Sequence, residues 1–230
     1  MPLADERFDP KAAVTRSLLG WGVVAGVSYL VIGVVQGLAR DGFSFGEHPL
    51  SLLMLGNGGW LQSANLIVSG CMVIAAAVGV TRAMSPGTGD RTAGGLIGVY
   101  GMALIASGFF PPDPMNGFPE QGSVAELTMS GVIHMALGGI AFLALSGAAF
   151  VVGGWLAHRG DSTAALRSRT SGGVVLAGFL GGAALSSTSV GVILLWIAVL
   201  TGWAWLAATS ITLYRQVPHP DLDRRGATAP

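Results

Sequence analysis

The chain has 230 residues, of which 51% are hydrophobic and 10% charged, with a mean hydropathy of +0.63. A soluble domain carries about 25% charged residues, so the composition excludes an ordinary soluble protein and predicts an integral membrane protein. Net charge is zero, so there is no basic excess of the kind that binds nucleic acid, and the lone Cys71 excludes an intrachain disulfide.

A bilayer core of about 30 Å needs roughly 20 apolar residues per helix. Six such runs are readable: Leu18–Leu38, Trp60–Val80, Thr92–Phe110, Gly131–Leu156, Ser171–Ser187 and Gly191–Leu213. The predicted fold is all-α, an integral membrane six-helix bundle over 17–214, with an N-terminal segment (1–16) and a disordered tail (215–230). The N-terminal segment mixes Asp5, Glu6 and Asp9 with Arg7, Lys11 and Arg16. It lacks the basic character of a signal peptide, so the first run is expected to remain as a span. Eleven of the 12 Lys and Arg fall on the side of the termini, and only Arg40 on the other. The positive-inside rule then predicts an inner-membrane protein with both termini cytoplasmic. The 36 glycines suit close helix approach in lipid. Gly22/Gly26, Gly94/Gly98, Ala149/Gly153 and Gly178/Gly182 have the four-residue spacing of such contacts.

The first outer connection, Ala39–Gly59, is long and apolar. Pro49 suits the first position of a short helix, which places His48 at its cap and Gly56 at its end. This predicts a short interfacial or re-entrant helix between the first two spans. A helix N-terminus disfavours a charged His48 and Glu47 favours it. Gly42-Phe43-Ser44-Phe45-Gly46 has the letters of a hydrolase nucleophile elbow, but no strand precedes it. Trp60 opens the second span as an interfacial anchor. Gln62, Asn65 and Ser69 share one face, either as an interhelical hydrogen-bond seam or as one wall of a polar pocket.

The third span ends in Phe109-Phe110-Pro111-Pro112-Asp113-Pro114. The prolines stop the helix and hold Asp113 at the membrane surface. Glu126, Ser130 and His134 are four apart and line one face of the fourth span. An ionisable residue at that depth is a functional candidate. His48, Asp113 and His134 thus fall at the outer ends of different spans, and the reading requires them to converge. Two histidines and a carboxylate are a usual ligand set for a zinc or another divalent metal with an open position. Without metal, Asp113 can donate a proton and a histidine accept one, with Glu47 a further catalytic candidate.

Aromatic side chains at the same level, among them Trp60 and Phe110, fit a hydrophobic ligand. Gln62, Asn65, Ser130 and Glu126 are the polar candidates for contacting it. Three function classes follow. One is an enzyme on a lipid or other hydrophobic small molecule, by metal-assisted hydrolysis or acid/base chemistry such as isoprenoid cyclisation. The second is a protein that binds or transports such a molecule, and the third an accessory subunit of a membrane complex. A polar path from Asn65 and Ser69 to the cytoplasm would mark transport.

Several of these pieces, in this order, resemble a bacterial and archaeal family of six-span membrane proteins, domain of unknown function 998. They are His48-Pro49-Leu50-Ser51, Gly56 through Trp60 with Gln62 and Asn65, Phe110 with Asp113-Pro114, Gly131 through His134, and Ala149-Phe150. The resemblance spans about residues 17–214 and implies a fold but no activity. The connection between the last two spans lacks the Gly-Leu step with a basic residue usual in that family.

Overall fold

The computed structural model describes residues 8–84, 90–119 and 127–221. Among them are six α-helices and no strand: α1 (Pro10–Leu38), α2 (Gly59–Met84), α3 (Asp90–Ser107), α4 (Met129–His158), α5 (Ser162–Ala184) and α6 (Ser189–Gln216). Consecutive helices pack side by side and α6 returns to α1, so the six close into a ring. Four of them, α1, α2, α4 and α6, are long and apolar enough to cross a membrane. Large apolar side chains such as Val27, Val31 and Val35 on α1 stay exposed on the outside of the ring, as lipid contact requires.

Several helices outrun the apolar segments that announced them, because capping residues lie beyond those segments. Asp9 accepts from the backbone N–H groups of Lys11 and Ala12 with Pro10 at the first helical position, so α1 starts before Leu18. Asp161 caps α5 in the same way, which brings Arg167 and Arg169 into the helix. The tail is less free than the sequence predicts. α6 runs to Gln216, and Arg16 donates to the carbonyls of Tyr214 and Val217 while lying 3.9 Å over the Tyr214 ring. The N–H of Asp9 donates to Pro220. Residues 222–230 lie outside the described residues.

The small residues do bring backbones together. A Cβ on Gly22 would lie 2.1 Å from Ser210 Oγ, and one on Gly178 2.8 Å from the Leu194 carbonyl oxygen. Between α2 and α3, Gly94 of the spaced motif lies close to Thr81, and the backbones also meet at a pair not visible as a spaced motif. A Cβ on Gly70 would stand 2.6 Å from the Gly101 carbonyl, and one on Gly101 2.8 Å from that of Gly70. Gly98 has only Ala77 Cβ at 4.0 Å.

Overpacking a tight contact costs about 1–3 kcal/mol. Gly70→Val is therefore expected to lower the unfolding temperature in detergent by several degrees, and Gly98→Ala to leave it nearly unchanged. Thermal unfolding of the two purified variants checks this.

Candidate functional site

The connection from α1 to α2 contains a 3-10 turn, Leu50–Met54, packed on α1 and α2 with Leu52 and Leu53 fully buried. This replaces the helix predicted to start at Pro49, which has extended backbone (ψ 153°). His48 consequently caps nothing. Its ring is buried and works as a cross-link. Nδ1 accepts the Ser44 backbone N–H at 2.9 Å, so the hydrogen sits on Nε2, which donates to the Asn116 carbonyl at 3.2 Å.

Asn116 replies by donating its side-chain amide to the Glu47 carbonyl at 2.9 Å. Met115 and Phe118 exchange backbone hydrogen bonds across Asn116-Gly117, both at positive φ, the geometry that favours an Asn-Gly turn. That turn drives Phe118 into a cluster with Phe43 and His48, ring centroids 5.3–5.4 Å apart. Arg40 lies over Phe118 and donates to the Leu55 carbonyl. Loops far apart in sequence are thus pinned together. The Glu47 side chain is exposed. The Ser44 motif is no nucleophile elbow, since Ser44 meets His48 through its backbone nitrogen.

The exit of α3 is pinned to the start of α4. Asp113 accepts from the Thr128 hydroxyl at 2.5 Å and from its N–H at 3.3 Å. Thr128 Oγ1 in turn accepts from Gly131 N–H and caps α4. Gly131 admits this approach because a Cβ there would stand 2.0 Å from Asp113 Oδ2. Ser130 Oγ donates to the Pro111 carbonyl at 2.8 Å, and His134 Nδ1 to that of Phe110 at 2.7 Å. Ser130 and His134 do share one helical face. That face holds carbonyls left without helical partners beyond α3.

Inside the ring, at the end bearing these loops, is a cavity of about 450 Å3. Asp113 and His134 line it near the loops. Tyr29, Tyr100 and Trp203 line its inner part, with the tyrosine rings 5.2 and 5.7 Å from Trp203. Phe142 and Phe179, stacked at 4.8 Å, line it from α4 and α5. These two helices touch closely away from the loop end: Cβ atoms on Gly153 and Gly172 would stand 3.0 Å from carbonyls of the facing helix. Nearer the loops, Gly138 and Gly139 have only the Phe179 ring, at 3.9 Å. Met135 and Leu127 line the cavity and are more than half exposed. The cavity wall at the start of α4 is therefore partly exposed.

Of the predicted trio, Asp113 and His134 share this cavity and His48 does not line it. Among the described residues, no three His, Cys, Asp or Glu side chains stand close enough to share a metal ion. The zinc ligand set is not assembled, because backbone groups of the loops hold His48 by both nitrogens.

Gln62 and Asn65 form a hydrogen-bond seam between α1 and α2, and Ser69 joins it by donating to Asn65 on its own helix. Gln62 Oε1 accepts from Gln36 and Asn65, and Asn65 also donates to the Tyr29 carbonyl. None of the three lines the cavity. Beyond Ser69 the same face continues as buried Val73, Ala77 and Val80, so the polar path that would mark transport does not continue along it. Trp60 is 70% exposed and lies apart from the cavity. Phe110 contributes its carbonyl, and Glu126 lies outside the described residues.

Sequence reasoning missed Asn116, Thr128 and the Tyr29-Tyr100-Trp203 group. The Asn116-Gly117 pair and a Thr three residues before Gly131 were local signals for the first two. No local signal marks the third, since three helices bring it together.

The arrangement is that of a polytopic helical membrane protein with a chamber inside one end of the bundle. The family described as protein of unknown function (DUF998) matches residues 23–212, and the chain belongs to it. No curated protein and no solved structure matches the chain.

His48→Ala is expected to leave two backbone groups unpaired and to cost about 2–3 kcal/mol of stability. Glu47→Ala, at an exposed side chain, should stay within about 0.5 kcal/mol. Paired unfolding curves of the two variants test whether His48 is a fastener.

Proposed function

We propose that this protein crosses the membrane six times, with both termini in the cytoplasm of the producing cell, and binds a lipid-like molecule in the outward-facing cavity. The observation that carries this reading is the cavity's combination of size and lining. About 450 Å3 lies in the range of small-molecule sites, roughly 300–1,000 Å3. Its lining is mainly aromatic and aliphatic, and it is bounded by Phe142 and Phe179 of α4 and α5, beyond which hydrocarbon would lie.

Orientation is argued from charge. Eleven of 12 basic residues lie on the side of the termini, the side the positive-inside rule keeps in the cytoplasm. The short turn at Leu50–Met54 is then re-entrant, dipping between α1 and α2 with its leucines buried. α3 and α5 complete the six spans. Their glycines lower hydropathy, yet their outer faces carry exposed apolar side chains, Val99 and Met102 on α3 and Val174 and Leu180 on α5, suited to lipid contact.

The hydrogen bonding favours binding over catalysis. His48 is committed to loop backbone by both nitrogens. His134 commits Nδ1 to Phe110, and Asp113 is engaged with Thr128. These contacts shape a rim, and the apolar interior supplies the affinity.

Gly138 lines the cavity, and a Cβ there would meet only the Phe179 ring, at an ordinary contact distance of 3.9 Å. Gly138→Leu is expected to fill the cavity with little effect on unfolding temperature. Mass spectrometry of lipids that co-purify should then lose the species retained by the unaltered protein. An unchanged lipid profile would count against the cavity as the binding place.

Topology is tested separately. In a Cys71→Ser background, cysteines at Asp41 and Ser187 should react with a membrane-impermeant maleimide on intact cells. One at Arg159 should react only after permeabilisation. Labelling of all three from the same side would break the six-span arrangement.

A further inference from the structure

The cavity is lined mainly by apolar and aromatic side chains, and its rim has one sign of charge. Asp113 is the only Asp, Glu, Lys or Arg among the described residues that line it. No Lys or Arg occurs between Arg91 and Arg159, a stretch that supplies α3, α4 and the loop between them. Arg40, the one basic residue of the other loop, lies over Phe118, is bonded to Leu55, and does not line the cavity. Among the described residues, Asp113 forms no ion pair, the one pair within 4.0 Å being His219 with Asp221.

Thr128 donates to Asp113, but a carboxylate offers about four acceptor sites. Half-buried beside an apolar chamber, it repels an anion and attracts a cation more strongly than it would in water. Below it, Tyr29, Tyr100 and Trp203 line the interior, and aromatic rings tolerate a cationic group that moves inward.

We infer that the occupant is an amphiphile with a single apolar chain and an amine or quaternary ammonium head, its head at Asp113 and its chain between α4 and α5, and that fatty acids and other anionic amphiphiles are turned away. This rests on the reading of the cavity as a hydrophobic-molecule site and names the class of molecule it takes.

The test uses the full chain in nanodiscs of zwitterionic lipid. Isotope-labelled hexadecylamine, hexadecyltrimethylammonium, hexadecanol and palmitate are offered in turn, and retention is counted against empty nanodiscs. Expected is at least tenfold tighter retention of the two cationic probes than of palmitate, with hexadecanol between. Asp113→Asn should cut the cation-to-palmitate ratio at least tenfold, while Asp113→Glu keeps it. Gly138→Leu should abolish retention of all four. Because the ranking in the unaltered protein reads the inference directly, it stands even if Asp113→Asn fails to fold.

Equal retention of all four probes, lost in Gly138→Leu, overturns the head-group assignment and leaves the cavity reading intact. So does a cation preference that Asp113→Asn does not change. Retention no greater than in empty nanodiscs overturns both.

Discussion

The loop end of the bundle keeps its shape because one imidazole bonds two backbone groups from two connections. Backbone that leaves a helix near a bilayer must find partners within the protein, since hydrocarbon offers none. Ser44 N–H and the Asn116 carbonyl find theirs in His48. The Phe110 and Pro111 carbonyls find theirs in His134 and Ser130. The polar side chains around the cavity mouth therefore answer first to the backbone. That is why two histidines that look available in the sequence are engaged in the fold.

With the loops pinned, the cavity follows from how the helices are spaced. Small residues let α2 meet α3 and α5 meet α6 almost backbone to backbone, and α4 meets α5 in that way only at the end away from the loops. Toward the loops, Phe142 and Phe179 stand between α4 and α5 where glycines stand elsewhere. Ring volume there takes the place of the close backbone approach seen farther along the same two helices. In lipid there is no hydrophobic drive to bring the backbones closer, because tails are as apolar as the side chains.

Some of the site was legible beforehand. The four-residue spacing of Ser130 and His134 put both on one face, and the proline run set Asp113 where a helix stops. Gln62, Asn65 and Ser69 were readable as a seam, which is what the first two form with α1. His48 was misread as a cap because Pro49 suits a first helical position; the extended backbone at Pro49 instead turns the ring inward. Whether His48, Asp113 and His134 would converge was not legible, since it depends on loops whose paths are set by contacts about 70 residues apart, such as His48 with Asn116.

The sequence by itself determined that this is a membrane-embedded helical protein and roughly where its helices run. Those properties come from composition and from the length of the apolar runs, both local. Only the tertiary structure decided that the polar residues near the loops are fasteners, that the α1–α2 seam is separate from the cavity, and that Tyr29, Tyr100 and Trp203 meet inside the ring. Each depends on which helix faces which, and in a chain apolar on nearly every helix face, side-chain size and hydrogen-bond closure settle that.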